Sequence, residues 1–113
     1  MAIKKDVTVD MSDFKFGKNG LITVVAQDYE SGEVLMLGSM NAEAAEKTFD
    51  TGFAHYVKDG KVAKFGGVTN TQKVMAAFLT ADGNSLLLKV AQKGMACAEN
   101  KTYSTYSKQI VGA

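Results

Sequence analysis

Few residues in this chain are equipped for chemistry. Cys97 is the only cysteine and His55 the only histidine among 113 residues. Cys97 lies in GMACAENKTYSTY, residues 94–106, among Glu99, Asn100, Thr102, Tyr103 and Ser104. The stretch reads like a loop built to hold something, yet it offers too few soft ligands for a metal, since a zinc site wants three or four sulfur, imidazole or carboxylate donors. Cys97 could be a ligand, a reactive thiol or a small apolar packing residue. No histidine adjoins it, and Lys93 and Lys101 stand four positions away, so nothing evident activates a thiolate. The packing role is the plainest. His55 is the only side chain whose ordinary pKa makes it a base near neutral pH. It falls in a strand-like run, where a histidine satisfied by hydrogen bonds is the simpler reading.

The remaining polar candidates sit at turns. Asp82 occurs in Ala81-Asp82-Gly83-Asn84, a composition that turn geometry alone explains. Lys58, Lys61 and Lys64 surround Asp59-Gly60. They could contact phosphate as point charges, or guard an exposed edge against sheet-to-sheet association, which is the simpler reading. Tyr103 and Tyr106 alternate with polar residues and suit a pocket wall or an interface equally.

The elements that must position these residues are legible as strands and turns. Leu21 to Asp28 is rich in β-branched residues, turns at Tyr29 to Gly32 and continues into Glu33 to Leu37, which predicts a hairpin. Asn41 can cap a helix of about ten residues that places Glu43 and Glu46 early, offers Ala45 and Phe49 as an apolar face and stops at Gly52. Phe53 to Lys58 and Lys61 to Phe65 flank Asp59-Gly60, the strongest hairpin signal in the chain. In Gln72 to Leu79 the alternation predicts Val74, Ala76 and Phe78 on one face, and in Ser85 to Val90 it does so for Leu86, Leu88 and Val90. The expectation is an α+β domain, a mainly antiparallel sheet of hairpins around one short helix. The tail from Thr102 to Val111 has weak β character, of the kind that pairs with another chain.

Size and composition narrow the function. The chain is expected to form a single domain over 1–113, with 1–16 as an N-terminal extension. Thirteen basic and twelve acidic residues leave a net charge of +1, so there is no electrostatic footprint for nucleic acid. One cysteine excludes an intramolecular disulfide framework. No signal-like segment and no apolar run of membrane-spanning length is visible, so a cytoplasmic protein with no membrane partner is expected.

Read as words, the middle of the chain carries a resemblance. NGLITVVAQDYESGEVLMLGSMNAEAAEKTFDTGFAHY, residues 19–56, resembles the opening of the phosphoribosyl-AMP cyclohydrolase family of histidine biosynthesis. The agreement continues in register through TQKV (71–74), ADGNSLLLKVAQKG (81–94) and Ala96-Cys97, so that it covers about 19–106. The resemblance implies a homodimeric α+β fold with active sites at the subunit interface, dependent on zinc and magnesium. There a metal-activated water opens a purine ring.

The residues that would carry this chemistry are largely absent. Of the three cysteines the family uses for zinc, one falls on Ala81, one on Cys97 and one on Ser104. The carboxylates implied for magnesium fall on Thr80, Asp82 and Asn84, and the histidine after the first late cysteine is Ala98. An arginine-rich segment becomes Val57-Lys58-Asp59-Gly60, and a later segment shortens to Gly67-Val68-Thr69-Asn70 with its histidine lost. Asp82, Cys97 and Ser104 are thus remnant metal positions, and no metal or other cofactor is expected to bind. The candidates that remain are His55 and Cys97 for catalysis and Lys58, Lys61, Thr69, Asn70, Asp82, Glu99 and Tyr103 for a small-molecule ligand. Three functions stay open: a scaffold that binds a nucleotide-like or other small ligand without the ring-opening activity, an enzyme with new metal-independent chemistry, and an active cyclohydrolase with substitute ligands.

Overall fold

The structure, a computed structural model, describes residues 9–66, 70–93, 105–106 and 109–112. After a short 3-10 turn at Met11–Asp13 come strands β1 (Ile22–Asp28) and β2 (Val34–Met40), helix α1 (Ala42–Thr51), strands β3 (His55–Lys58) and β4 (Lys61–Lys64), and strands β5 (Thr71–Leu79) and β6 (Ser85–Lys93). A four-stranded sheet runs in the order β2-β1-β6-β5, and β3-β4 forms a separate hairpin. This is the expected α+β architecture. The pairs β1–β2, β3–β4 and β5–β6 are antiparallel, as the turn signals predict.

At the centre of the sheet, however, β1 and β6 run parallel, with Val24 beside Leu86, Ala26 beside Leu88 and Asp28 beside Val90. Turn signals reveal only strands adjacent in sequence, and this pairing joins residues 62 positions apart. Ile22, Val24, Ala26, Leu86, Leu88 and Val90 are all buried on one face. Against that face pack Ala44 and Ala45 of α1, Ala54, and Tyr56 of β3. Phe14, from the N-terminal segment, joins them, with its ring 5.9 Å from Phe16 and edge-on to Phe49 at 6.1 Å.

Local chemistry sets the ends of the elements. The Asn41 side chain accepts the Ala44 N–H at 2.8 Å, and Gly52 closes α1 in the left-handed conformation. Asp59 and Gly60 both have positive φ, 53° and 78°, which matches the right-handed twist of a two-residue hairpin. One expectation is corrected. A bulge between Val74 and Ala76 leaves Val74 beside Val90 but sets Ala77 beside Leu88 and Leu79 beside Leu86. The extra residue switches the inward set. Ala76 and Phe78 therefore do not share a face with Val74; both turn to the opposite side, Ala76 beside Lys89 and Phe78 beside Leu87, with Phe78 54% exposed.

A polar chain crosses the buried side of the sheet at one end. The Tyr56 hydroxyl donates to Gln72 Oε1 at 2.6 Å, and Gln72 Nε2 donates to Gln92 Oε1 at 3.0 Å, with Met36 Sδ at 3.2 Å. Gln72 is fully buried, and the Gln92 Nε2 is buried with no partner among the described residues. Above the tyrosine ring Gly38 is obligatory, because a Cβ there would lie 2.7 and 2.9 Å from Tyr56 ring carbons.

Two outcomes follow from this packing. Gly38→Ala should cost roughly 1–3 kcal/mol in urea unfolding, the usual penalty of overpacking. Burial also raises the Tyr56 hydroxyl well above its usual pKa of 10.0. A folded-state pKa above the unfolded one means that the stability is fully present below about pH 10 and is lost as pH rises through the folded value. Tyr56→Phe should therefore be less stable than the parent at neutral pH, since Gln72 Oε1 loses its donor. Its unfolding midpoint should fall less steeply between pH 9.5 and 11. Parallel alkaline limbs for the two proteins would refute this account.

Candidate functional site

The turn from Thr80 to Asn84 joins β5 to β6 and carries Asp82. The Thr80 hydroxyl donates to Asp82 Oδ1 at 2.7 Å, the Asn84 N–H donates to the same oxygen at 3.1 Å, and Thr80 Oγ1 accepts the Ser85 N–H at 3.1 Å. The turn thus satisfies itself through its own side chains. The Thr80 hydrogen bond, with that of the Asn84 backbone, holds the Asp82 carboxyl below its usual pKa. Asp82 is exposed, so it remains an ordinary carboxylate at neutral pH.

A segment far away in sequence closes over this turn. Lys15 N–H donates to the Gly83 carbonyl at 2.9 Å, and a Cβ on Gly83 would collide with the Asp13 carbonyl and with Lys15 Cγ. Asp13, Lys15 and Leu79 line a cleft of about 320 Å³ together with Thr80, Ala81 and Asp82. The sequence reading missed Asp13 and Lys15 because it placed them in an N-terminal extension. The only local signal was Phe14, an aromatic residue between two charged ones.

His55 lies elsewhere. Its flanking residues Ala54 and Tyr56 point inward, while His55 is half-buried on the other side of the hairpin. Its backbone N–H donates to Thr48 Oγ1 at 2.9 Å, and its Nδ1 lies 2.8 Å from the Phe53 carbonyl. Because a carbonyl can only accept, Nδ1 carries the proton in the neutral ring and Nε2 keeps the lone pair. Lys58 faces Lys61 across the exposed tip of the hairpin. Lys64, in register with His55, stands over the Phe53 ring at 4.7 Å. Asn70 is half-buried and lies directly against Gly66. Thr69, Cys97, Glu99, Tyr103 and Ser104 fall outside the described residues.

The fold divides the candidates between two ends of the sheet. Phe53 bridges to Lys73, and Ala54 N–H donates to the Gln72 carbonyl, so the β3–β4 hairpin sits beside the start of β5. Thr71 pairs with Lys93, so the chain leading to Cys97 leaves from that same end. Asp82 lies at the opposite end of both strands. From Ser85 to Lys93, β6 extends about 27 Å at ~3.4 Å per step.

The donor set can be tested against the zinc and magnesium that the resemblance implies. Ala81 has no donor atom, and Asp82 Oδ1 already accepts two hydrogen bonds from its own turn. The other side-chain donors nearby are the hydroxyl of Thr80 and the amide of Asn84, neutral and hard, whereas zinc prefers sulfur and imidazole. Magnesium held by a single carboxylate relies on substrate phosphates for the rest of its shell. Among the described residues, no three His, Cys, Asp or Glu side chains gather around a common point. The residues of the turn do not fit either ion.

Comparison with known proteins places the scaffold. Residues 36–106 match the family model for phosphoribosyl-AMP cyclohydrolase. A phosphoribosyl-AMP cyclohydrolase of Methanococcoides burtonii is 44% identical over 92 residues, covering 79% of this chain and 76% of its own. That of Neisseria gonorrhoeae is 40% identical over 103 residues, covering 88% and 79%. That of Paracoccus denitrificans is 39% identical over 101 residues, covering 87% and 84%. Among the described residues, no helix is long and apolar enough to cross a membrane. With the family match spanning β2 to Tyr106 and identities near two-fifths over most of the length, this chain belongs to the phosphoribosyl-AMP cyclohydrolase family.

Proposed function

We propose that this protein keeps the cyclohydrolase scaffold without the zinc-dependent purine ring opening, and that it acts as a cytoplasmic homodimer that binds a small, nucleotide-like ligand. The observation that carries this reading is the turn from Thr80 to Asn84. Where the resemblance calls for a cysteine and three carboxylates, the chain has Ala81, Thr80, Asp82 and Asn84, and the one carboxylate is engaged by its own turn. A ring-opening hydrolase at neutral pH needs a strong nucleophile, which a metal-bound water supplies at a pKa near 7. Nothing in the turn replaces that activation. Ser104 in place of a second late cysteine supports the same reading from the sequence alone.

For a ligand, the hairpin end of the sheet is the better candidate. Lys58 and Lys61 provide positive charge at the tip of the β3–β4 hairpin, and Thr69, Asn70, Glu99 and Tyr103 are the further ligand candidates that the sequence offers. New metal-independent catalysis is the weaker reading. His55 and Asp82 occupy opposite ends of β5, so one chain holds no acid–base pair between them.

The decisive experiment is turnover of phosphoribosyl-AMP by the purified protein with added zinc and magnesium, and again with chelator. No turnover above the protein-free blank is expected in either case, and dialysed protein should retain well below one zinc per chain. Turnover that chelator abolishes would overturn the proposal. Turnover that chelator leaves untouched would establish metal-independent chemistry instead.

A further inference from the structure

The buried polar chain beside the β3–β4 hairpin has a fixed polarity. The Met36 thioether can only accept, so the Gln72 amide turns Nε2 toward it, at 3.2 Å. Gln72 Oε1 is thereby left to the Tyr56 hydroxyl, and their separation of 2.6 Å is that of an O–H···O bond. Gln72 Nε2 gives its second hydrogen to Gln92 at 3.0 Å, so Gln92 presents Oε1 on that side. The chain therefore ends in Gln92 Nε2, which has two hydrogens to donate and is buried without a partner among the described residues. Tyr56, which begins the chain, is held in place, with its ring over Gly38 and edge-on to Phe65 at 6.2 Å. The terminal donor is thus part of a braced array.

This donor stands at the hairpin end of the sheet. Pairing of β6 with β1 stops where Val90 meets Asp28, so Gln92 lies past the end of β1, in register with Gln72 of β5. Gln92 as a residue is only partly buried, which puts its amide close beneath the surface. On the β3–β4 hairpin, Tyr56 shares a face with Lys58 by alternation, and Ala63 opposite it shares that face with Lys61. The face that carries the root of the polar chain thus carries two exposed ammonium groups one step further out. A ligand suited to this end has an anionic group for the lysines and a neutral acceptor for Gln92.

We infer that Gln92 sets the specificity of the ligand site proposed above, its Nε2 donating to a carbonyl oxygen on the base of a nucleoside monophosphate. The inference rests on the nucleotide-like reading and names the kind of base that it takes. A carbonyl oxygen projects from its ring and offers two lone pairs to the two hydrogens. A ring nitrogen flanked by an amino group would instead set donor against donor. Gln92 cannot answer that amino group with its own oxygen, because Gln72 already occupies it. A donor closed off from water is costly to leave unpaired, so the ligand that satisfies it binds more tightly than the one that cannot.

The test is isothermal titration calorimetry with inosine monophosphate and adenosine monophosphate, which carry an exocyclic carbonyl and an exocyclic amino group respectively. The parent protein should bind the inosine nucleotide about tenfold or more tightly than the adenosine nucleotide. Gln92→Met removes the donor and leaves a thioether to accept from Gln72. It should bring the inosine affinity down to the adenosine value, with a circular-dichroism spectrum and urea midpoint near those of the parent. Should that variant not fold, the preference of the parent decides alone. Equal affinities in the parent, a preference for the adenosine nucleotide, or a preference that survives in folded Gln92→Met would overturn the role of Gln92 and leave the nucleotide-like reading standing. No binding of either nucleotide at millimolar concentration would overturn both. Turnover is not read, so the result is separable from the loss of ring-opening activity.

Discussion

The fold depends most on the parallel pairing of β1 with β6. Val24 beside Leu86 and Ala26 beside Leu88 place two apolar ladders at the centre of the sheet, and the edge strands β2 and β5 attach to them by short hairpins. A parallel pair needs a long crossover. Here the crossover contains β2, α1, β3, β4 and β5, so the elements that cover the core are the same ones that make the connection. The pairing also orients β6, so that the Asp82 turn and Lys93 lie at opposite ends of the sheet.

At the turn between β5 and β6 the chemistry of the side chains decides the outcome. A cluster of ionised carboxylates needs a cation to offset its own repulsion. Thr80, Asp82 and Asn84 need none, because one hydroxyl, one carboxylate and one backbone N–H satisfy each other. The N-terminal segment then closes on Gly83, where only a residue without a Cβ permits so close an approach. The turn is therefore closed by its own side chains and by the N-terminal segment. The polar chain from Tyr56 through Gln72 to Gln92 is a contrast. It is buried and nearly satisfied, and it fixes how the hairpin meets the sheet, but its last amide donor has no partner among the described residues.

Local signals made most elements legible. Asn41 and Gly52 marked the ends of α1, and Asp59-Gly60 marked the β3–β4 turn, because caps and primed turns depend on the conformational limits of single residues. The Phe78 expectation failed for a reason no local pattern shows. A bulge that adds one residue to β5 exchanges the faces beyond it, and its place is set by pairing with β6 rather than by β5 itself. The same limit hid Asp13 and Lys15, whose role depends on a turn some seventy positions later. Of the candidate site, His55, Lys58, Lys61, Asn70 and Asp82 could be placed in space, and they proved to belong to different ends of the sheet.

The sequence by itself determined which atoms are available: one thiol, one imidazole, no donor at Ala81, and a single carboxylate, Asp82, in the turn beside it. It also determined the hairpins, the helix and the family, since these are written in short-range residue preferences and in words of sequence. The tertiary structure alone decided which of those atoms can meet. The central parallel register placed Val25 beside Leu87, and the bulge turned Phe78 outward on the other side of Leu87. Such decisions arise from pairing between segments distant along the chain, where the energy lies in burial shared across strands and no single residue encodes it.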